Sequence, residues 1–148
     1  MYYAYNDFRT DINKIVDEIN YVGAKYDYVV GIVRGGAIPA VCLSHQLNIP
    51  MKCVSWSTYH QDQMKESAQD IAEDIRDGKK VLVVDDILDS GKTVAELIED
   101  WAVDRSTFDI AAMIWNTAQG VTPNYHGRTI NRNDNTNWVT FWWETRGE

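Results

Sequence analysis

Apolar positions along this 148-residue chain change their period several times, and the changes divide it into elements. Phe8, Ile12, Ile15, Val16 and Ile19 recur at helical spacing with polar residues between them, which predicts an amphipathic helix ending near Gly23. Tyr28–Val33 is a short apolar run and reads as a buried strand. After Arg34-Gly35-Gly36, the positions Ile38, Val41, Cys42, Leu43 and Leu47 predict a second helix, with Pro39 tolerated in its first turn. Met51 to Thr58 alternates loosely and reads as a strand, whereas Tyr59 to Gln69 is polar and aperiodic and reads as a loop. Ile71–Ile75 suggests a short helical turn before the turn signal Asp77-Gly78. Val81–Val84 is a continuous apolar run, and good helix formers follow from near Ser90 or Gly91 to about Asp104. Phe108–Trp115 predicts a further strand. Residues 116–137, rich in Asn, Thr, Gly and Pro, read as irregular, and Trp138–Trp143 as β-prone.

Strands alternating with helices predict an α/β fold, a mainly parallel twisted sheet flanked by helices on both faces. Such sheets bind ligands at the carboxyl ends of their strands, where strand order switches. Arg34-Gly35-Gly36 and Asp85 to Thr93 both fall at such ends. The length suits one domain over 1–148, without repeats or a low-complexity linker.

Charge narrows the partners. Fourteen basic against 22 acidic residues give a net charge of −8 with no basic block, which argues against nucleic acid and anionic membranes as partners. No apolar run approaches a membrane span, and the first twenty residues do not resemble a signal peptide. Cys42 and Cys53 lack metal-ligand or redox-motif spacing and read as free thiols of a cytoplasmic protein.

The candidate chemistry concentrates in Asp85-Asp86-Ile-Leu-Asp89-Ser90-Gly91-Lys92-Thr93. The end of a strand meets the start of a helix there, and free backbone N–H groups with the helix dipole favour a phosphate. Gly91 lets backbone approach closely, and the hydroxyls of Ser90 and Thr93 can donate. Asp85 and Asp86 precede this cradle and suit the vicinal hydroxyls of a ribose. A Walker A loop is excluded by counting, since it needs a glycine five residues before Gly91 and an aspartate stands at position 86.

This stretch resembles the phosphoribosyl-diphosphate (PRPP) motif of the type I phosphoribosyltransferases: two acids, two apolar residues, Asp, Ser, Gly, any residue, Thr. The resemblance runs over roughly residues 28–144 and implies that family's fold, with a core of about 25–116 and a base-binding hood of about 117–148. It implies that Asp85 and Asp86 hold the ribose hydroxyls, directly or through Mg²⁺-bound water, and that Ser90, Gly91, Lys92 and Thr93 hold the 5'-phosphate. Arg34 and Gly35 are similar to the pyrophosphate loop, and a cationic fork suits that leaving group. In purine-using members this loop carries a non-proline cis peptide, which here would join Val33 to Arg34. Ser57, Thr58 and Tyr59 resemble the start of a catalytic loop that closes over the reactants.

Asp89 matches the branch that uses 6-oxopurines, where it accepts the N7 proton as N9 attacks C1'. A local alternative for Asp89 is the N-cap of the next helix. Trp138-Val139 and Trp143-Glu144 resemble the carboxyl end of the xanthine-guanine enzymes, with Trp138 stacking on the base and the Trp138 and Val139 carbonyls accepting from a 2-amino group. Where that branch carries a lysine for the 6-oxo group, this chain has Trp115-Asn116, and Asn116 stands nearest. The implied activity is transfer of ribose 5-phosphate from PRPP to N9 of guanine, hypoxanthine or xanthine, a purine-salvage step, in a dimer or tetramer. The alternatives are transfer to a different base, or a PRPP-binding regulator without turnover.

Overall fold

In a computed structural model, which describes residues 1–56 and 68–145, the apolar run Val81–Val84 lies on the central strand of the sheet. The elements are β1 (Tyr2–Tyr3), α1 (Tyr5–Val22), β2 (Tyr28–Val33), α2 (Ala37–Leu47), β3 (Met51–Ser55), α3 (Gln69–Arg76), β4 (Val81–Leu88), α4 (Lys92–Trp101), β5 (Asp109–Asn116), β6 (Tyr125–Ile130) and β7 (Thr140–Phe141). Five strands form one sheet in the order β3-β2-β4-β5-β6. Every pairing in it is parallel. Successive side chains of a strand point to opposite faces. Leu82 and Val84 therefore join the layer under α1 and α2 (Ile12, Ile15, Leu43), while Val81 and Val83 join the layer under α3 and α4 (Ile71, Leu97, Trp101). The short apolar runs become strands because both of their faces are covered.

β2 feeds α2 on one face and β4 feeds α4 on the other, so strand order reverses between these two neighbouring strands. The crevice expected at such a switch point lies above the carboxyl ends of β2 and β4. Among the described residues, no helix is long and apolar enough to cross a membrane.

Helix ends follow local chemistry. Gly23 closes α1 in the left-handed region at φ 72°, its N–H donating to Ile19 O at 3.1 Å. The region around Ile71–Ile75 is a full helix of eight residues, longer than the single turn its apolar spacing suggested. α4 stops at Trp101, earlier than Asp104, because Ala102 turns into the left-handed region and caps it. The expected strand from Met51 is described to Ser55, and Ser57, Thr58 and Tyr59 lie outside the described residues.

The largest departure from the sequence pattern is β6. Residues 125–130 read as irregular, yet they extend the sheet beside β5. The segment 117–148 therefore divides: its middle joins the sheet, and 131–145 folds over the crevice. β6 carries no apolar signature because α1 covers it largely through polar groups. Arg128 Nε donates to Asp11 Oδ2 at 2.8 Å, the Tyr3 hydroxyl donates to the same oxygen at 2.5 Å, and Lys14 Nζ donates to the carbonyls of His126 and Gly127. Gly127 permits the approach, since a Cβ there would stand 2.5 Å from Met113 O and 2.6 Å from Asp11 Cβ. Tyr3 also sits on β1, which pairs with β7 and so ties the amino terminus to the covering segment.

Asp11 is 4% exposed, whereas the side chain of Arg128 keeps a third of its exposure. Asp11→Ala leaves a half-buried guanidinium without its main partner. It is expected to lower unfolding free energy by about 2 kcal/mol, under the range for breaking a fully buried pair, measured by urea denaturation.

Candidate active site

The crevice at the switch point is a cleft of about 560 Å³. Its floor is Ile32–Gly35 from the end of β2 and Asp85–Thr93 from the end of β4 and the start of α4, and its cover is Arg132, Trp138, Val139, Phe141, Trp143 and Glu144. The sheet thus brings Arg34, Gly35, Asp85, Asp86, Asp89, Ser90, Gly91, Lys92 and Thr93 to one place, and the covering segment adds Trp138 and Val139. Of the residues singled out from sequence, Asn116 does not line the cleft.

β4 runs through the acid pair to Leu88 and does not end at Val84. The ladder to β5 pairs Asp85 with Ala112 and Ile87 with Ile114. The carboxylates are thus mounted on a central strand, and the turn proper is Asp89–Gly91. Asp85 Oδ1 accepts from the Asp86 N–H at 2.8 Å, and Asp86 Oδ1 from the Ile87 N–H at 2.7 Å. Burial pushes the Asp85 carboxyl well above the ordinary carboxylate range, and the neighbouring Asp86 charge adds to it. Burial also raises Asp86, with Glu144 contributing in the same direction. Among the described residues neither carboxylate has a cationic partner, and donors from sugar hydroxyls or a hard cation would relieve the pair. Among the described residues no group of three or more His, Cys, Asp or Glu gathers for a metal. Two carboxylates are nevertheless the donor set that Mg²⁺ uses when water and substrate oxygens complete its shell.

Gly35 and Gly91 are dictated by their surroundings. A Cβ on Gly35 would collide with the Asp86 carboxylate, so the loop after β2 closes against the acid pair only without a side chain. The peptide joining Val33 to Arg34 is cis. Gly91 adopts φ 81° at the N-cap of α4, and a Cβ there would stand 2.8 Å from both Gln119 Oε1 and Val121 Cγ2. Ser90 Oγ accepts from the Lys92 N–H at 3.2 Å, bracing the turn at the start of α4, the kind of helix end that suits an anion.

Asp89 is not the cap of α4, which has no side-chain cap bond. Its carboxylate faces Arg132 instead, in a two-pronged pair: Nε to Oδ1 at 3.0 Å and Nη2 to Oδ2 at 3.1 Å. Arg132 went unnoticed in the sequence because it sits in an Asn-rich irregular stretch, and its partner lies 43 positions away. Asn116, the last residue of β5, is engaged in hydrogen bonds. Its Nδ2 donates to Asp89 O at 2.9 Å, and its Oδ1 accepts from the N–H groups of Ala118 and Arg132 at 3.0 and 3.1 Å. Buried to 5% exposure, it pins the Asp89 turn to the covering segment. Trp138 is 70% exposed and lines the cleft, while Val139 is buried.

An acid pair, the turn at the start of α4 and a second glycine loop thus meet at the switch point of a parallel sheet. The chain belongs to the phosphoribosyl transferase domain family, whose model matches residues 1–145. It is 35% identical over 79 residues to the xanthine-guanine phosphoribosyltransferase of Idiomarina loihiensis, a match covering 51% of this chain and 48% of that protein. The chain spans just under half the length of the curated relatives it matches. Among solved structures it resembles a purine phosphoribosyltransferase from Pyrococcus horikoshii, with TM-score 0.72 and 25% identity over 100% of this chain and 96% of that one. It likewise resembles a Neisseria gonorrhoeae hypothetical protein with bound ppGpp, with TM-score 0.73 and 26% identity over 99% and 89%.

The raised Asp85 pKa has a stability consequence. Above the unfolded aspartate pKa, near 3.9, the folded state binds this proton more tightly than the unfolded state, so stability falls as pH rises toward the folded pKa. Asp85→Asn removes that cost. In metal-free buffer the variant is expected to melt several degrees higher than wild type at pH 7, with the gap closing below about pH 4, as read by scanning calorimetry.

Proposed function

We propose that this protein is a purine phosphoribosyltransferase that transfers ribose 5-phosphate from PRPP to N9 of a 6-oxopurine and releases pyrophosphate. The observation that carries the reading is the convergence of the Asp85–Thr93 turn and the Arg34-Gly35 loop on one cleft at the switch point. The names of the Idiomarina and Pyrococcus relatives point the same way.

In this reading Ser90, Gly91, Lys92 and Thr93 at the start of α4 take the 5'-phosphate, and Asp85 and Asp86 accept from the ribose hydroxyls. Arg34 and Gly35 face the pyrophosphate, and Ser57, Thr58 and Tyr59 begin a loop that closes over it. N9 forms its bond to C1' as the C1'–oxygen bond to pyrophosphate breaks. Asp89 takes the proton that leaves N7, and Trp138 and Val139 contact the base. Asp85 and Asp86 would hold Mg²⁺, directly or through water, and when bound the ion neutralises charge on the leaving group. We further propose a cytoplasmic homo-oligomer, a dimer or tetramer, acting in purine salvage without nucleic-acid or membrane partners. The ppGpp in the Neisseria structure favours one second reading, a regulatory guanine-nucleotide binder on the same scaffold.

Pyrophosphate release from PRPP and Mg²⁺, with guanine, hypoxanthine, xanthine, adenine and orotate supplied separately, distinguishes these. Turnover with an oxopurine is expected, falling about 100-fold or more in Asp89→Asn. Tight PRPP or ppGpp binding without turnover on any base would establish the regulator instead. Gly35→Ala displaces the Asp86 carboxylate and is expected to weaken PRPP binding at least 10-fold by titration calorimetry, with the melting temperature as a folding control.

A further inference from the structure

We infer that Arg132, reaching in from the covering segment, reads the base edge beside Asp89, and that Arg132 and Asp89 together select a 6-oxo over a 6-amino purine. The inference rests on the transferase reading above and names the residue that sets its base preference.

Three observations lead there. Asn116, at the end of β5, does not line the cleft and has its amide engaged by backbone and Asp89. Arg132 lines the cleft with its side chain 20% exposed, and Asp89 lines it beside Arg132 at 25%. The guanidinium is held on two sides, by the Asp89 carboxylate through Nε and Nη2 and by the carbonyls of Asn135 and Asn137 through Nη1. That grip fixes a long side chain before any ligand arrives, which lowers the ordering cost of binding.

The chemistry of the pair is complementary to one edge of one class of base. Asp89 offers an acceptor and Arg132 a cationic donor, side by side at the cleft. A 6-oxopurine protonated at N7 offers the reverse, an N–H donor next to a carbonyl acceptor. The N7 proton then meets the carboxylate and O6 meets the guanidinium, a charge-assisted contact of the stronger kind. A 6-aminopurine turns an N–H₂ donor toward the guanidinium, which has five N–H donors and no acceptor, so the amino group would be buried against a cation without a partner. The exposed ring of Trp138 lies on the same segment, six positions along, where it can cover the face of a base so oriented.

The test compares wild type, Arg132→Lys and Arg132→Gln. It reads kcat and KM for hypoxanthine, guanine and adenine, PRPP affinity by calorimetry, and melting temperature. Arg132→Gln is expected to raise the oxopurine KM at least 10-fold and to narrow the oxopurine-to-adenine ratio of kcat/KM at least 10-fold, while PRPP affinity stays within about twofold. Arg132→Lys, which keeps the charge but not the fork, is expected to recover part of that ratio; a merely structural Arg132 would move melting temperature and PRPP affinity but not the ratio. If Arg132→Gln does not fold, the Lys variant carries the test through a KM increase for oxopurines alone. Oxopurine turnover by wild type with the same KM and ratio in the folded variants overturns the inference and leaves the transferase reading standing. Absence of oxopurine turnover in wild type overturns both.

Discussion

The parallel pairing of β2 with β4 is the constraint on which the rest of the structure depends. Tyr28 to Gly31 run beside Val81 to Val84 with their side chains buried on alternate faces, so a slip by one residue would send every side chain into the opposite helix layer. With that register set, the ends of both strands emerge together. One delivers Arg34 and Gly35 and the other the acid pair, and α2 and α4 leave on opposite faces to open the crevice. The contact of Gly35 with the Asp86 carboxylate is the point where the two loops meet.

A cost sits at that point. Two adjacent carboxylates on a central strand, raised toward protonation by burial, weaken the protein that carries them. The surrounding structure tolerates it because β4 is paired with β2 up to Val84 and with β5 through Leu88, and its apolar run is covered on both faces. Strain of this electrostatic kind at a cleft is a physical mark of a binding site, since the ligand supplies the donors that the fold withholds. Asp89 is treated differently. It stands three residues on, past the strand end, and is answered by a guanidinium from the covering segment.

The covering segment is held by interactions remote from the cleft. β7 pairs with β1, and Trp142 and Trp143 pack against Phe8 of α1. Asn116 accepts from the Arg132 N–H and donates to the Asp89 carbonyl, so it couples the end of β5, the turn after β4 and the cover in one hydrogen-bonded node. Its side chain joins two cleft residues without lining the cleft itself.

The sequence by itself determined the α/β class, the central strands and the Asp85–Thr93 turn. These rest on local patterns: an apolar run long enough for a strand, helical spacing after it, and acids, hydroxyls and a glycine in fixed register. β6, the length of α3, the occupation of Asn116 and the pairing of Arg132 with Asp89 were decided only by the tertiary structure. β6 lacks apolar alternation because α1 meets it through Asp11–Arg128 and Lys14, partners more than a hundred positions apart, and no local window contains them. Arg132 is likewise an unremarkable cation among asparagines until the sheet and the cover bring it to Asp89. Local periodicity reports what one segment must bury, whereas the pairing of polar groups across the fold depends on which segments end up side by side.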